Sequence, residues 1–149
     1  MADQEATIPN SDIPIAIRPA TPDDASLVFA TWLNAFKYGG SWAENVPDAI
    51  YFSHHHALIE AILLRPTARC LLLCKGDEPG FVYGWVVFEI PNVVHFCYVK
   101  KSFRGLGFGK RLIEATGIQP TSAIQFTHPT RKGLSWAKKL GAVLNPYRI

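Results

Sequence analysis

Apolar positions along the chain change period several times, and each change marks an element. Ile13, Ile15 and Ile17 alternate and predict a first strand ending at Arg18-Pro19. Thr21-Pro22-Asp23-Asp24 then gives a cap, a first-turn proline and an acidic third position, the signature of a helix start. Leu27, Val28, Thr31, Trp32, Ala35 and Phe36 follow at helical spacing, and Gly39-Gly40 stops the run. A second helix is expected from about Pro47 to Leu64, with Tyr51, His55, Leu58, Ile59, Ile62 and Leu63 as its buried stripe. The period then shortens. Arg69 to Lys75 reads as a buried strand, Gly76 to Gly80 as a turn, and Phe81 to Ile90 as a strand with a bulge or bend near Gly84. Pro91-Asn92 turns the chain, and Val93 to Val99 returns antiparallel.

Beyond Val99 a glycine loop leads into a short helical pattern starting at Lys110 and ending at Gly117. Ser122 to Thr127 is a fifth strand. A last helix near Lys132 to Leu140 carries Leu134, Ala137 and Leu140 on one side and stops at Gly141, and Ala142 to Ile149 closes as a final strand. The expected organisation is a flexible tail, residues 1–12, followed by one domain, residues 13–149.

Composition narrows the class. Of 149 residues, 48% are hydrophobic and 18% charged, which suits one globular domain with a sizeable core. A net charge of +3 is too small to imply a nucleic-acid partner. The acidic, polar start, Met1 to Asn10, is not a signal peptide, and no apolar run is long enough to span a membrane. Three cysteines without a C-x-x-C pattern read as reduced core residues of a cytoplasmic protein. His54-His55-His56 invites a metal, but helical neighbours point about 100° apart and do not converge on one ion, so no metal is expected.

The chemistry concentrates at Val99 to Lys110. A strand feeding a glycine loop and a helix start aims backbone N–H groups at one point, where the helix dipole favours an anion. Lys100, Lys101, Arg104, Lys110 and Arg111 add positive charge. Spacing sorts the glycine loops. A Walker loop needs glycine at 104, which is Arg, and Ser or Thr at 111, which is also Arg. A dinucleotide fingerprint needs its third glycine at 110, which is Lys. The RNA-binding RNP1 pattern starts well at Arg104 but fails after Phe108.

Arg104-x-x-Gly107-x-Gly109 after a strand resembles motif A of the GCN5-related N-acetyltransferases, the GNAT superfamily, where it holds the pyrophosphate of acetyl-CoA. Ile17 to Asp24 resembles the usual opening of that domain, and Ser135 to Ala142 resembles its motif B, written aromatic-Tyr-x-x-Leu-Gly-Phe. The resemblance runs from Ile13 to Ile149. It implies an α/β (α+β) fold whose mixed, mostly antiparallel sheet of six or seven strands is flanked by about four helices and splayed at the fourth strand.

It also implies an acetyl-CoA-dependent N-acetyltransferase in which a primary amine, of a small molecule or a protein, attacks the thioester directly in a ternary complex. The resemblance gives cofactor contacts at Tyr98, Val99, Arg104, Gly105, Leu106, Gly107, Phe108, Gly109 and Lys110. An N–H near Val99 would polarise the thioester carbonyl. Trp42, Glu44 and Tyr51 fall in the region that forms the acceptor wall in relatives. The family's motif B tyrosine, often the acid to the leaving thiolate, falls at Ala137, so that role does not carry over. Relatives with a glutamate base on the fourth strand have it where Val93 stands here. His95 is the nearest substitute and Glu89 the next, with a water chain as the alternative. Strand alternation puts His95 on the same face as Val93, Cys97 and Val99. No nucleic acid or membrane partner is expected, and the chain is expected to be a monomer or homodimer. Two other classes fit part of the pattern: a non-catalytic acyl-CoA-binding sensor or docking module, and an RNA-binding domain.

Overall fold

A computed structural model describes residues 13–41, 43–119 and 123–149. The expected tail, residues 1–12, lies outside the described residues, as do Trp42 and Ser122. The elements are β1 (Ile15–Pro19), α1 (Ala25–Tyr38), α2 (Asp48–Leu63), β2 (Ala68–Lys75), β3 (Glu78–Glu89), β4 (Val93–Val99), α3 (Phe108–Ala115), β5 (Gln125–Phe126), α4 (Arg131–Leu140) and β6 (Val143–Leu144). Six strands lie side by side in sequence order. The first four pair antiparallel, whereas β4–β5 and β5–β6 are parallel.

The entry to α1 is built as its sequence suggests. A 3-10 turn at Pro22–Asp24 precedes the helix. The Thr21 N–H donates to Asp24 Oδ2 at 2.7 Å, and Arg18 forks onto the same carboxylate at 2.8 and 2.9 Å. The Arg18 guanidinium holds the Asp24 carboxyl down at about 2, against the opposing effect of burial.

Two cores sandwich the sheet. On one face α1 and α2 bury Trp32, Phe36, Tyr51, Ile59 and Ile62 against Trp85, Val87 and Phe96. Trp32 and Trp85, both fully buried, lie 5.4 Å apart, and the Trp85 indole donates to Thr31 Oγ1 at 2.9 Å. Each such ring contributes on the order of 2–3 kcal/mol of burial. On the other face α3 sets Phe108, Leu112 and Ile113 against Val86, Phe88 and Val94.

Several expectations are corrected. β3 starts at Glu78, because Lys75 pairs with it across the turn. The expected last strand shrinks to Val143–Leu144, since Pro146 opens a 3-10 turn over Pro146–Arg148. α3 begins at Phe108, with Gly107 as its cap. Leu58 and Leu134 are exposed: they sit at the edge of their helical stripes, past the reach of the core. The bulge expected near Gly84 is present, as the register with β2 skips Tyr83.

A second bulge was not expected. Val87 pairs with Phe96 and Phe88 with Val94, so His95 is an extra residue in β4. Its neighbours record the slip. Val94, Cys97 and Val99 pack toward α3, while Phe96 and Tyr98 pack toward α1 and α2. Alternation therefore breaks at His95, which does not share the face of Cys97 and Val99.

Candidate acyl-transfer site

β4 and β5 part almost as soon as they meet. Only Val93 and Val94 pair with Gln125 and Phe126, and the last backbone bond is Thr127 N–H to Val94 O at 3.3 Å. Beyond it β4 continues through Phe96–Val99 with β3 alone, leaving a fork. The Lys100 N–H donates to Tyr83 O at 2.8 Å, which makes that pair a hydrogen-bonded rung of the ladder. By alternation the N–H groups of Cys97 and Val99 turn to the other edge of β4, into the fork. The Val99 carbonyl follows, accepting from Arg104 Nε at 2.8 Å.

At the open end of the fork lies the glycine loop. A 3-10 turn, Lys101–Phe103, leads to Gly105 and Gly107, with φ of +86° and +83°. These left-handed positions suit glycine and swing the chain into α3. Arg111 N–H is the first to find a helical carbonyl, that of Gly107, so the N–H groups of Phe108, Gly109 and Lys110 open the helix without an intrahelical acceptor. A Cβ at Gly105 would meet nothing within 4 Å, and one at Gly109 only Val99 Cγ2 at 3.8 Å. The space above the loop is thus open, while Arg104 and Lys110 are exposed beside it. Donors, charge and room all fit a diphosphate.

A cleft of about 320 Å³ adjoins the fork on its other side, lined by Ala30, Thr31, Asn34, Ala35, Tyr98 and Arg104. Of the predicted acceptor wall, Glu44 is exposed on the turn before α2. Tyr51 is buried instead, its hydroxyl donating to Leu33 O at 2.7 Å and its ring stacked on His55. Burial raises its phenol well above the usual range.

The two catalytic candidates meet each other. His95 Nε2 lies 2.6 Å from Glu89 Oε2, and Arg65 and Thr67 also donate to that carboxylate. Burial pushes the Glu89 carboxyl up, but the bonds from Thr67, His95 and Arg65 outweigh it and hold it at about 2. His95 is buried; burial lowers its imidazole, partly offset by Glu89. The other ring nitrogen, Nδ1, sits 2.9 Å from Thr127 Oγ1.

The chain of contacts continues through two residues that sequence reading missed. Thr127 Oγ1 lies 2.8 Å from His128 Nδ1, and His128 Nε2 lies 2.9 Å from His55 Nε2. Among the three consecutive histidines only His55 points inward, a placement its spacing from Tyr51 and Ile59 predicts. Burial holds His55 at about 4 and His128 well below its ordinary value, the latter also through His55 and His95. No group of three or more metal-ligating side chains forms among the described residues. Nor is any helix of the described residues long and apolar enough to cross a membrane. Ala137 is buried, so α4 offers no phenol at the expected position.

Comparison with known proteins agrees with this geometry. The acetyltransferase (GNAT) family model matches residues 29–116, more than half of the chain. No curated protein matches it. Among solved structures, a GCN5-related N-acetyltransferase from Ralstonia eutropha is 18% identical with a TM-score of 0.61, over 85% of this chain and 91% of that one. YjaB from Escherichia coli, in its apo form, is 15% identical with a TM-score of 0.59, over 85% and 80% of the two chains. A GCN5-related glucosamine N-acetyltransferase region of a fungal multi-domain β-N-acetylglucosaminidase is 18% identical with a TM-score of 0.59, over 87% of this chain and 17% of that one. At these identities the likeness shows a shared fold, and with the family match it settles that the chain belongs to the GNAT acetyltransferase family.

Proposed function

We propose that the protein transfers an acetyl group from acetyl-CoA to a primary amine by direct attack in a ternary complex. The observation that carries this is the fork: an unpaired edge of β4 that ends in a glycine loop with open space over its backbone. Bound there, acetyl-CoA would supply the acetyl group as a thioester. The N–H groups of Gly107 to Lys110 would hold the pyrophosphate, with Arg104 and Lys110 adding charge. Gly105, Leu106 and Phe108 shape the turn. The Cys97 and Val99 N–H groups would pair with the amides of the pantetheine arm and polarise the thioester carbonyl. Tyr98 lines the adjoining cleft, where the amine would enter. The described lining of that cleft offers an amide, a phenol and a guanidinium, and no carboxylate. This suits an acceptor whose amine arrives beside a neutral or acidic group, from a small molecule or a protein side chain.

An acyl-cysteine route is disfavoured. Cys97 borders the fork, but burial pushes its thiol up to about 12, so it is no thiolate at neutral pH. A free alkylamine, with a pKa near ~10, must instead lose a proton before attack. Both nitrogens of His95 are bonded inside the protein, so we assign Glu89 and His95 an indirect part in that step. Three unpaired cysteines favour a reducing, cytoplasmic setting. The test is calorimetric titration with acetyl-CoA, followed by free-thiol release against a panel of amines. Micromolar binding with amine-dependent thiol release is expected. Absence of acetyl-CoA binding would remove the proposal.

A further inference from the structure

We propose that the acceptor is a free α-amino acid, held by its carboxylate on the Arg104 guanidinium. This deepens the acetyl-transfer reading above and rests on it. Arg104 stands in the glycine-loop motif, yet it also lines the cleft beside β4, together with Ala30, Thr31, Asn34, Ala35 and Tyr98. Its backbone ends the 3-10 turn Lys101–Phe103, and its Nε–H donates to Val99 O at 2.8 Å. A guanidinium tied at Nε has its plane set, and its two terminal nitrogens remain as paired donors. Among the described residues no carboxylate forms an ion pair with Arg104. Nor, among the described residues, do its terminal nitrogens or the side-chain polar groups of Asn34 and Tyr98 have a hydrogen-bond partner. Thr31 differs, since its hydroxyl donates to Leu27 O and accepts from the Trp85 indole. The Tyr98 ring is held by stacking on Trp85, with centroids 5.9 Å apart.

Shape, charge and distance select the acid. Two parallel N–H donors match the two oxygens of a carboxylate, and the Asn34 amide on α1 offers a third donor. A volume of about 320 Å³ is at the small end of ligand sites and suits a free molecule. Lys101, Arg104, Lys110 and Arg111 are exposed in and beside the loop, and the described lining holds no carboxylate to attract an ammonium. A simple alkylammonium is repelled there, whereas a zwitterion brings its own anion. The N–H and C=O of one residue lie roughly 3 Å apart, which sets the Arg104 terminal nitrogens within roughly 8 Å of the Val99 N–H. In an α-amino acid the amine and the carboxylate oxygens are also roughly 3 Å apart, so a carboxylate on Arg104 holds the amine inside that gap. The ammonium loses one proton to water before attack and a second after it. The amine lone pair forms the C–N bond. The electron pair of the broken C–S bond stays on sulfur, which takes up one of the two protons. The product is an N-acetyl amino acid with its carboxylate unchanged.

The test compares initial rates at saturating acetyl-CoA for the twenty common amino acids, each beside its α-carboxamide. The amide lacks the anion, and its amine, with a pKa near ~8, is the freer base at neutral pH, so intrinsic reactivity favours the amide. The preferred acid should nevertheless exceed its amide in kcat/KM by about tenfold or more. Arg104→Gln should bring that ratio to one or below. Arg104→Lys, which keeps the charge but loses the paired donors, should recover part of it. Because the ratio is read, any change in acetyl-CoA affinity common to both substrates cancels. Asn34→Asp sets a carboxylate across the cleft from Arg104 and should lower the ratio toward one, with KM for acetyl-CoA changed less than about twofold. Side-chain ¹⁵N spectra of the full chain read binding without turnover: the Arg104 Nε–H signal should shift saturably with the preferred acid and not with its amide. Amides that match or outrun their acids in every pair overturn the proposal, as does an undiminished ratio in Arg104→Gln and Asn34→Asp. So does turnover confined to amines without a carboxylate, phosphoethanolamine included. If acetyl-CoA binds but no amine is acetylated, the transfer reading fails by itself. The Arg104 signal, titrated with each amino acid in turn, then decides the carboxylate site, and a shift with none of them removes it.

Discussion

Gly107→Val separates backbone strain from ligand contact. Gly107 caps α3 with φ of +83°, a conformation that costs a residue with a side chain about 1–2 kcal/mol. For a domain of this size that is a fall in Tm of roughly 2–8 °C, leaving the protein folded. The proposed loss of binding is larger. A hydrogen bond from a backbone N–H to a charged phosphate contributes about 1.5–3 kcal/mol. A valine that pushes the anion off two of them costs about 3–6 kcal/mol, or roughly 10²–10⁴ in Kd. Gly117→Val is the matched control. Gly117 has φ of +77°, a Cβ there would meet nothing within 4 Å, and it lies at the far end of α3. Both variants should lose similar stability by thermal melting followed by circular dichroism. Only Gly107→Val should lose acetyl-CoA affinity by calorimetry. Unchanged affinity in a folded Gly107→Val, or equal losses in the two variants, would refute the assignment of the loop.

Arg104→Ala should weaken acetyl-CoA binding by less than Gly107→Val, within about tenfold, because the fixed N–H groups remain and only one charge-assisted contact is lost; calorimetry reads it. Glu89→Gln should cost about 2–4 kcal/mol at neutral pH by denaturant unfolding, since the bonds from Arg65, Thr67 and His95 lose their anion. The Glu89 carboxyl is lowered from 4.5 to about 2 on folding, so its contribution is full above pH 4.5 and lost as pH falls toward 2; the deficit of the variant should shrink over that window. His55 is lowered from 6.5 to about 4, so the wild type should lose stability as pH falls through that range. His55→Phe, which keeps the ring stacked on Tyr51, should flatten that slope in melts taken from pH 7 to 4.

The frame of the fold was legible because its signals are local. Apolar runs in β2 and β3, alternation in β4, the Thr21-Pro22 cap and the glycines around Gly107 each act within a few residues, and the elements appeared close to where these placed them, with shifted starts at Glu78 and Phe108. The fork and loop followed from the motif and its position after a strand. The centre of the site was not legible, because its contacts are remote. Thr127 meets His95 across 32 residues and His128 meets His55 across 73, and no spacing rule links such pairs. The bulge at His95 is a pairing property of two strands; β4 read by itself alternates smoothly and gives the wrong face. Leu58 and Leu134 misled for the converse reason: periodicity assigns a stripe, but the width of the neighbouring surface decides which members are covered.

The brevity of the β4–β5 pairing divides the sheet mechanically. Four antiparallel strands form a stiff plate with long registers. In the sheet itself the segment from Gln125 to Ile149 joins it by only two paired positions, and its other ties are backbone bonds to Asn92 and Gly39 and side-chain contacts around Thr127 and His128. Such a seam is where a sheet opens first, well below the free energy of global unfolding. A ligand lying in the fork would touch both sides of that seam and staple them. The C-terminal segment would then behave as a tethered jaw, with slow amide exchange when the fork is filled and fast exchange when it is empty.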